Sequence, residues 1–177
     1  REWTFDEGEG TVAHDTSQWK DGKLGTYGGE FDGTSDNYVS IDNQQPLSFG
    51  RNDFTVSAWT KISEDLPGTY PRQWVVQNYG SDGDNDYAIV VEKSNGNQVS
   101  RFSIRDQQGN SANCDGSQLE PGRWYMITGV RTSDEAILYT NGEKDKSCDA
   151  SSVEIINTTG LDMYLNNGKQ FSDQYLN

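Results

Sequence analysis

The residues best suited to chemistry in this chain are carboxylates gathered in short polar runs. Asp32, Asp36 and Asn37 surround Gly33, and Asp6 and Glu7 occupy an earlier glycine-rich corner expected to lie near them. Asp82, Asp84 and Asp86 alternate through the run SDGDND. A hard cation such as calcium takes about six to eight oxygens from carboxylates, amides and backbone carbonyls, and turns rich in Asp, Asn and Gly offer all three. Both runs are therefore candidate calcium sites; ordinary Asx turns are the other use of the same residues. The second run lacks the later glycine and bidentate glutamate of an EF-hand loop and is not one.

The second chemistry open to this sequence is recognition of sugars, which needs aromatic platforms for the apolar faces of the rings and planar polar groups for the hydroxyls. Tyr70, Trp74 and Tyr79 cluster around the acidic run, with Arg72, Asp82 and Asp84 as polar neighbours. Trp19 and Tyr27 are further aromatics in expected loops, whereas Trp59, Trp124 and Tyr139 fall in mid-strand, where packing in a core is the expected use. Catalytic chemistry finds less to work with. His14 is the single histidine, and its neighbour Asp15 points the other way on an extended chain. Glu7 and Glu9 flank Gly8 in a turn, so they read as a solvated corner. Tyrosines and arginines for a lyase are plentiful but form no motif.

These residues must be positioned by strands. From Asn52 to Ile62 the residues Phe54, Val56, Ala58, Thr60 and Ile62 alternate with Thr55, Ser57, Trp59 and Lys61, the period of a half-buried strand. Phe102 and Ile104 likewise oppose Arg101, Ser103 and Arg105. Strands are also expected over 3–5, 38–41, 74–76, 87–93, 98–105, 124–131, 136–140, 143–146 and 161–165. Asn95-Gly96 and Asn141-Gly142 supply hairpin turns, because this pair tolerates positive φ. The stretch from His14 to Glu30 reads as a polar, glycine-rich loop.

A chain of 177 residues with no internal repeat fits one domain, and 19 glycines with 32% hydrophobic residues suit a two-layer β protein. The formal charge of −14 argues against nucleic acid, which is bound through clustered Lys and Arg. No apolar run approaches the roughly 18 residues that span a bilayer. Two cysteines are present. Cys114 is expected in a loop leading to the strand near Arg123, and Cys148 after the hairpin that continues that strand. A bridge between them suits a secreted domain; two free thiols are the alternative.

The segments FDGTSDNYVSI, NDFTVSAWTKI, GRWYMITGVR and AILYTNGE resemble successive strands of a laminin-G-like domain of the concanavalin A-like lectin/glucanase superfamily. The likeness runs from Trp3 to about Leu165. It implies an all-β, two-sheet antiparallel jelly-roll sandwich over residues 1–177. The function it implies is a non-catalytic extracellular module, part of a larger protein, that binds carbohydrate and is steadied by calcium. A protein-binding adhesion or assembly module is the alternative, and a polysaccharide lyase or glycosidase the third reading. Calcium at a sandwich edge, as in that family, favours Asp32 and Asp36 with Asp6 over Asp82, Asp84 and Asp86. Glucanases of the superfamily carry catalytic carboxylates as Glu-x-Asp-x-Glu on one strand, and no strand here has that pattern. Such domains also end on a closing strand of the kind Gly-x-Ile-Asp-Asp-Val-Arg, which this sequence lacks before Asn177, so a strand from another segment or chain is expected to pair there.

Overall fold

A computed structural model describes residues 18–24, 27–31, 38–41, 49–62, 72–78, 86–154 and 163–165. The described elements are all strands: β1 (Gln18–Asp21), β2 (Tyr27–Glu30), β3 (Val39–Ile41), β4 (Phe54–Lys61), β5 (Arg72–Asn78), β6 (Asp86–Ser94), β7 (Asn97–Arg105), β8 (Ser111–Gln118), β9 (Trp124–Arg131), β10 (Glu135–Thr140), β11 (Glu143–Asp149) and β12 (Met163–Leu165). A six-stranded antiparallel sheet runs β3-β12-β5-β6-β7-β8, a four-stranded one runs β11-β10-β9-β4, and β1 pairs with β2. Two sheets each showing one apolar face pack into a sandwich, as the alternation in β4, β7 and β9 requires.

The core lies between the two large sheets. Phe54 from β4, Ile127 from β9 and Leu138 from β10 meet Ile89, Phe102, Ile104 and Cys114 from the facing sheet. Phe49 stacks on Phe54 with ring centroids 4.4 Å apart, and Tyr87 lies 5.1 Å from Phe54. Gly129 of β9 is needed at its place, because a Cβ there would overlap the ring of Phe102. The two Asn-Gly turns form as expected, with φ of 51° at Asn95 and 54° at Asn141.

Three sequence expectations need correction. Ser111–Gln118, expected as a loop, is the edge strand β8; its inward residues are only Ala112 and Cys114, too small to give an apolar signature. The expected loop over 14–30 contains the paired strands β1 and β2. Trp59, Trp124 and Tyr139, expected in the core, are only partly buried and lie on the outer face of the four-stranded sheet, whose inward positions are taken by Ala58, Tyr125 and Leu138. The Nζ of Lys23 lies 5.3 Å from the Trp59 ring centre and that of Lys61 lies 5.4 Å from Trp124, covering each indole with a cation.

Cys114 and Cys148 form a disulfide with a Cα–Cα distance of 5.7 Å. It joins β8, at one edge of the six-stranded sheet, to β11, at one edge of the four-stranded sheet, and so ties the two layers together. Close by, Asp145 accepts from the Ser117 N–H and hydroxyl at 2.7 and 2.6 Å and from Thr140 Oγ1 at 3.0 Å. At the C-terminal end of β9, the buried Arg131 guanidinium donates to the carbonyls of Gly50, Val153 and Glu154, each at 2.8 Å. The buried Asp106 accepts from Gln108 N, Asn110 N, Asn110 Nδ2 and Glu154 N. Burial by itself would raise the carboxyl pKa of Asp106, but those donors hold it below the ordinary value. The expected missing closing strand concerns residues outside the described set.

Candidate functional site

The outer face of the six-stranded sheet carries the site. Register aligns Trp74 of β5 with Val90 of β6, Arg101 of β7 and Asp115 of β8, with Arg72 and Glu92 one row above and Ser103 and Asn113 one row below. Arg72, Trp74, Val90, Arg101, Ser103 and Asn113 line a shallow depression of about 30 Å3, open to solvent. That is smaller than the roughly 300–1,000 Å3 of pockets that enclose a drug-sized ligand, and suits contact with one face of a ring.

A bulge is what places Trp74 there. Trp74 and Val76 are two residues apart and would share a face in a regular strand. The irregularity between them pairs Trp74 with Val90 and Val76 with Ile89, so Val76 enters the core and Trp74 stays outside. A second irregularity opposite Val99 and Arg101 is accommodated in β8 by Gly116, where a Cβ would crowd Asp145, Ser100 and Leu138.

Four charged groups bind one another across this face. Glu92, only 7% exposed, accepts from Arg72 Nε at 2.8 Å through one oxygen and from Arg101 Nη2 at 2.6 Å through the other. Arg101 also grips Asp115 with both forks, Nε to Oδ1 at 2.5 Å and Nη2 to Oδ2 at 3.0 Å. Burial alone would lower the Arg101 pKa, but the hydrogen bond to Asp115 and the charges of Glu92 and Asp115 hold it above the ordinary value. Beside them Ser103 Oγ donates to Asn113 Oδ1 at 2.8 Å. The arrangement offers an indole platform, two oriented guanidiniums, an amide and a hydroxyl on rigid strands, a set that recognises hydroxyl-bearing rings.

Of the residues expected to bind ligand, Arg72 and Trp74 come together here, on strand β5 and not in a loop. Tyr70 and Tyr79 lie outside the described residues. So do Asp6, Asp32, Asp36, Asp82 and Asp84, and for Asp86 only its backbone, at the start of β6, is described. Among the described residues no three His, Cys, Asp or Glu side chains gather as a metal would require. Arg101, Ser103 and Asn113 were not singled out from the sequence, although the polar alternation of 101, 103 and 105 marks an outward face. Only the pairing of β7 with β6 and β8 brings that face to Trp74.

A laminin-G family model, described as the concanavalin A-like lectin/glucanases superfamily, matches residues 32–177. The chain belongs to this superfamily. No curated protein sequence matches this concanavalin A-like domain. Among solved structures it is similar to the binding domain of Paraclostridial Mosquitocidal Protein 1, with TM-score 0.66, 18% identity, and coverage of 90% of this chain and 39% of that one. It is also similar to domain 4 of an extracellular GH43 arabinanase from Geobacillus stearothermophilus, in complex with arabinotriose, with TM-score 0.61, 18% identity, and coverage of 85% and 66%. A third likeness is to the ligand binding domain of botulinum neurotoxin serotype D in complex with N-acetylneuraminic acid, with TM-score 0.67, 13% identity, and coverage of 87% and 37%. The concanavalin A-like chain thus spans about two fifths to two thirds of the solved chains named here. At these identities the likeness is one of fold alone.

Proposed function

We propose that the chain is a non-catalytic, extracellular carbohydrate-binding module that reads its ligand on the outer face of the six-stranded sheet. The observation that carries this reading is the convergence of Trp74, Arg101, Ser103 and Asn113 on one depression, with Arg72 at its rim. Stacking on the indole supplies apolar contact, while the guanidiniums and amide fix the ring through its hydroxyls. Both carboxylates at the site, Glu92 and Asp115, are committed to ion pairs with Arg101, which suits a binding surface better than acid–base work. The disulfide between Cys114 and Cys148 supports an oxidising, extracellular setting.

The test is a glycan array followed by titration calorimetry on the hits, with Trp74→Ala and Asn113→Ala beside the unmodified chain. Loss of a central aromatic anchor costs about 2 kcal/mol or more, a weakening of roughly thirtyfold. A folded Trp74→Ala protein that binds the same glycan as tightly as before would move the site elsewhere. Binding to an extracellular protein and to no glycan would favour the adhesion reading. The proposal includes calcium, held by Asp32 and Asp36 with Asp6, or by Asp82, Asp84 and Asp86. Melting that ignores both millimolar calcium and chelator, with no metal by elemental analysis, would remove calcium from it.

A further inference from the structure

We infer that this site takes an uncharged saccharide and that Asp115 is the residue enforcing the choice; the inference rests on the carbohydrate-binding reading above. Arg72 and Arg101 are the cations of the site, and an acidic sugar would have to use one of them. Both are already neutralised from within. Glu92 spends one oxygen on Arg72 and the other on Arg101, and Asp115 meets Arg101 through both of its own oxygens. Two cations and two anions leave the cluster with no net charge, inside a chain whose formal charge is −14. A uronate or sialate carboxylate arriving here would have to displace a carboxylate the protein holds in bidentate geometry, and would approach against the field of the whole molecule. Hydroxyl groups meet no such obstacle. They can accept from and donate to the rim of the cluster, to Asn113 and to Ser103 without disturbing an ion pair.

The two carboxylates are not equivalent. Glu92 is 7% exposed and bridges both arginines, so it is part of the sheet's structure. Asp115 is 44% exposed, stands on the edge strand β8 and pairs with Arg101, so it is the group an anionic ligand would replace. Its exchange for the neutral isostere leaves Arg101 with one carboxylate instead of two and the cluster with one net positive charge.

The experiment compares the unmodified chain, Asp115→Asn, Asp115→Ala and Glu143→Gln on matched pairs of oligosaccharides, one neutral and one carrying a uronate or sialate. Glu143 is an exposed carboxylate on β11 of the other sheet, so its exchange changes net charge equally without touching the cluster. Titrations run from about 20 mM to about 500 mM salt, which shortens the screening length severalfold. The unmodified chain should bind the neutral member at an affinity indifferent to salt and discriminate against the acidic one. Asp115→Asn and Asp115→Ala should gain about fivefold for the acidic member at low salt, the top of the range for an exposed pair, and lose that gain at high salt. Glu143→Gln should gain nothing. Preference of the unmodified chain for the acidic member, with affinity that falls as salt rises, would overturn the inference while leaving carbohydrate binding intact. So would folded Asp115 variants with no gain, or an equal gain from Glu143→Gln. Binding of neither member by any variant, with none found on the array, would defeat the carbohydrate reading itself and this inference with it.

Discussion

Removing the Cys114–Cys148 bridge should separate what holds the sandwich together from what shapes its site. The two cysteines are 34 residues apart in sequence, and a closed loop of that length is worth about 4 kcal/mol in the chain-entropy model. For a domain of this size each kcal/mol moves the melting temperature by about 2–4 °C, so the double variant Cys114→Ala with Cys148→Ala should melt about 8–16 °C lower. The site should respond differently. Cys114 points into the core between Asn113 and Asp115, which point outward to Ser103 and Arg101, and β8 is paired to β7 from Ser111 to Gln118. Those contacts hold β8 in the folded state without the bridge, so ligand affinity well below the melting temperature should not change. Calorimetric melting and binding titration on the oxidised chain, the reduced chain and the double variant check both halves. A variant melting within ~2 °C of the oxidised chain, less than one kcal/mol allows, would refute the cross-link as a major stabiliser. A folded variant that has lost binding would refute the independence of β8.

Asp106 predicts a pH dependence. Its folded pKa is depressed, so the stability it contributes is present above the unfolded value of about 3.9 and is lost as pH falls through the lower folded value. Asp106→Asn should therefore cost about 2–3 kcal/mol at neutral pH, seen as a shift of the denaturant midpoint, and progressively less toward the acid limit; a cost independent of pH would refute this. Gly129→Ala should destabilise by about 1–3 kcal/mol through its overlap with Phe102, and pairing it with Phe102→Leu should recover part of that loss in a double-mutant cycle of melting measurements. Gln77 is fully buried on the outer side of β5, and neither of its amide atoms finds a partner among the described residues. Gln77→Met should raise stability by about 1–2 kcal/mol; destabilisation would mean that the amide is satisfied in solution.

The sequence alone determined the class of the fold and the faces of its strongest strands. Alternation in β4 and β7 needs no partner to be read, because successive side chains on an extended backbone must point to opposite sides. The two Asn-Gly turns were legible for a similar local reason, since few other pairs adopt positive φ at so little cost. Trp74 and Arg72 could be singled out by residue type, but not by place. What brings them to Arg101, Ser103 and Asn113 is the order β5-β6-β7-β8, together with a bulge at Val75 that turns Trp74 away from the core. A bulge is a relation between two strands and leaves no trace in the periodicity of one. β8 stayed hidden because an edge strand over a core already filled by Phe102 and Leu138 has room inside only for Ala112 and Cys114. Trp59 and Trp124 show the converse: their bulk suggested burial, and only the tertiary structure, with Lys23 and Lys61 laid over their rings, accounts for indoles on an outer face.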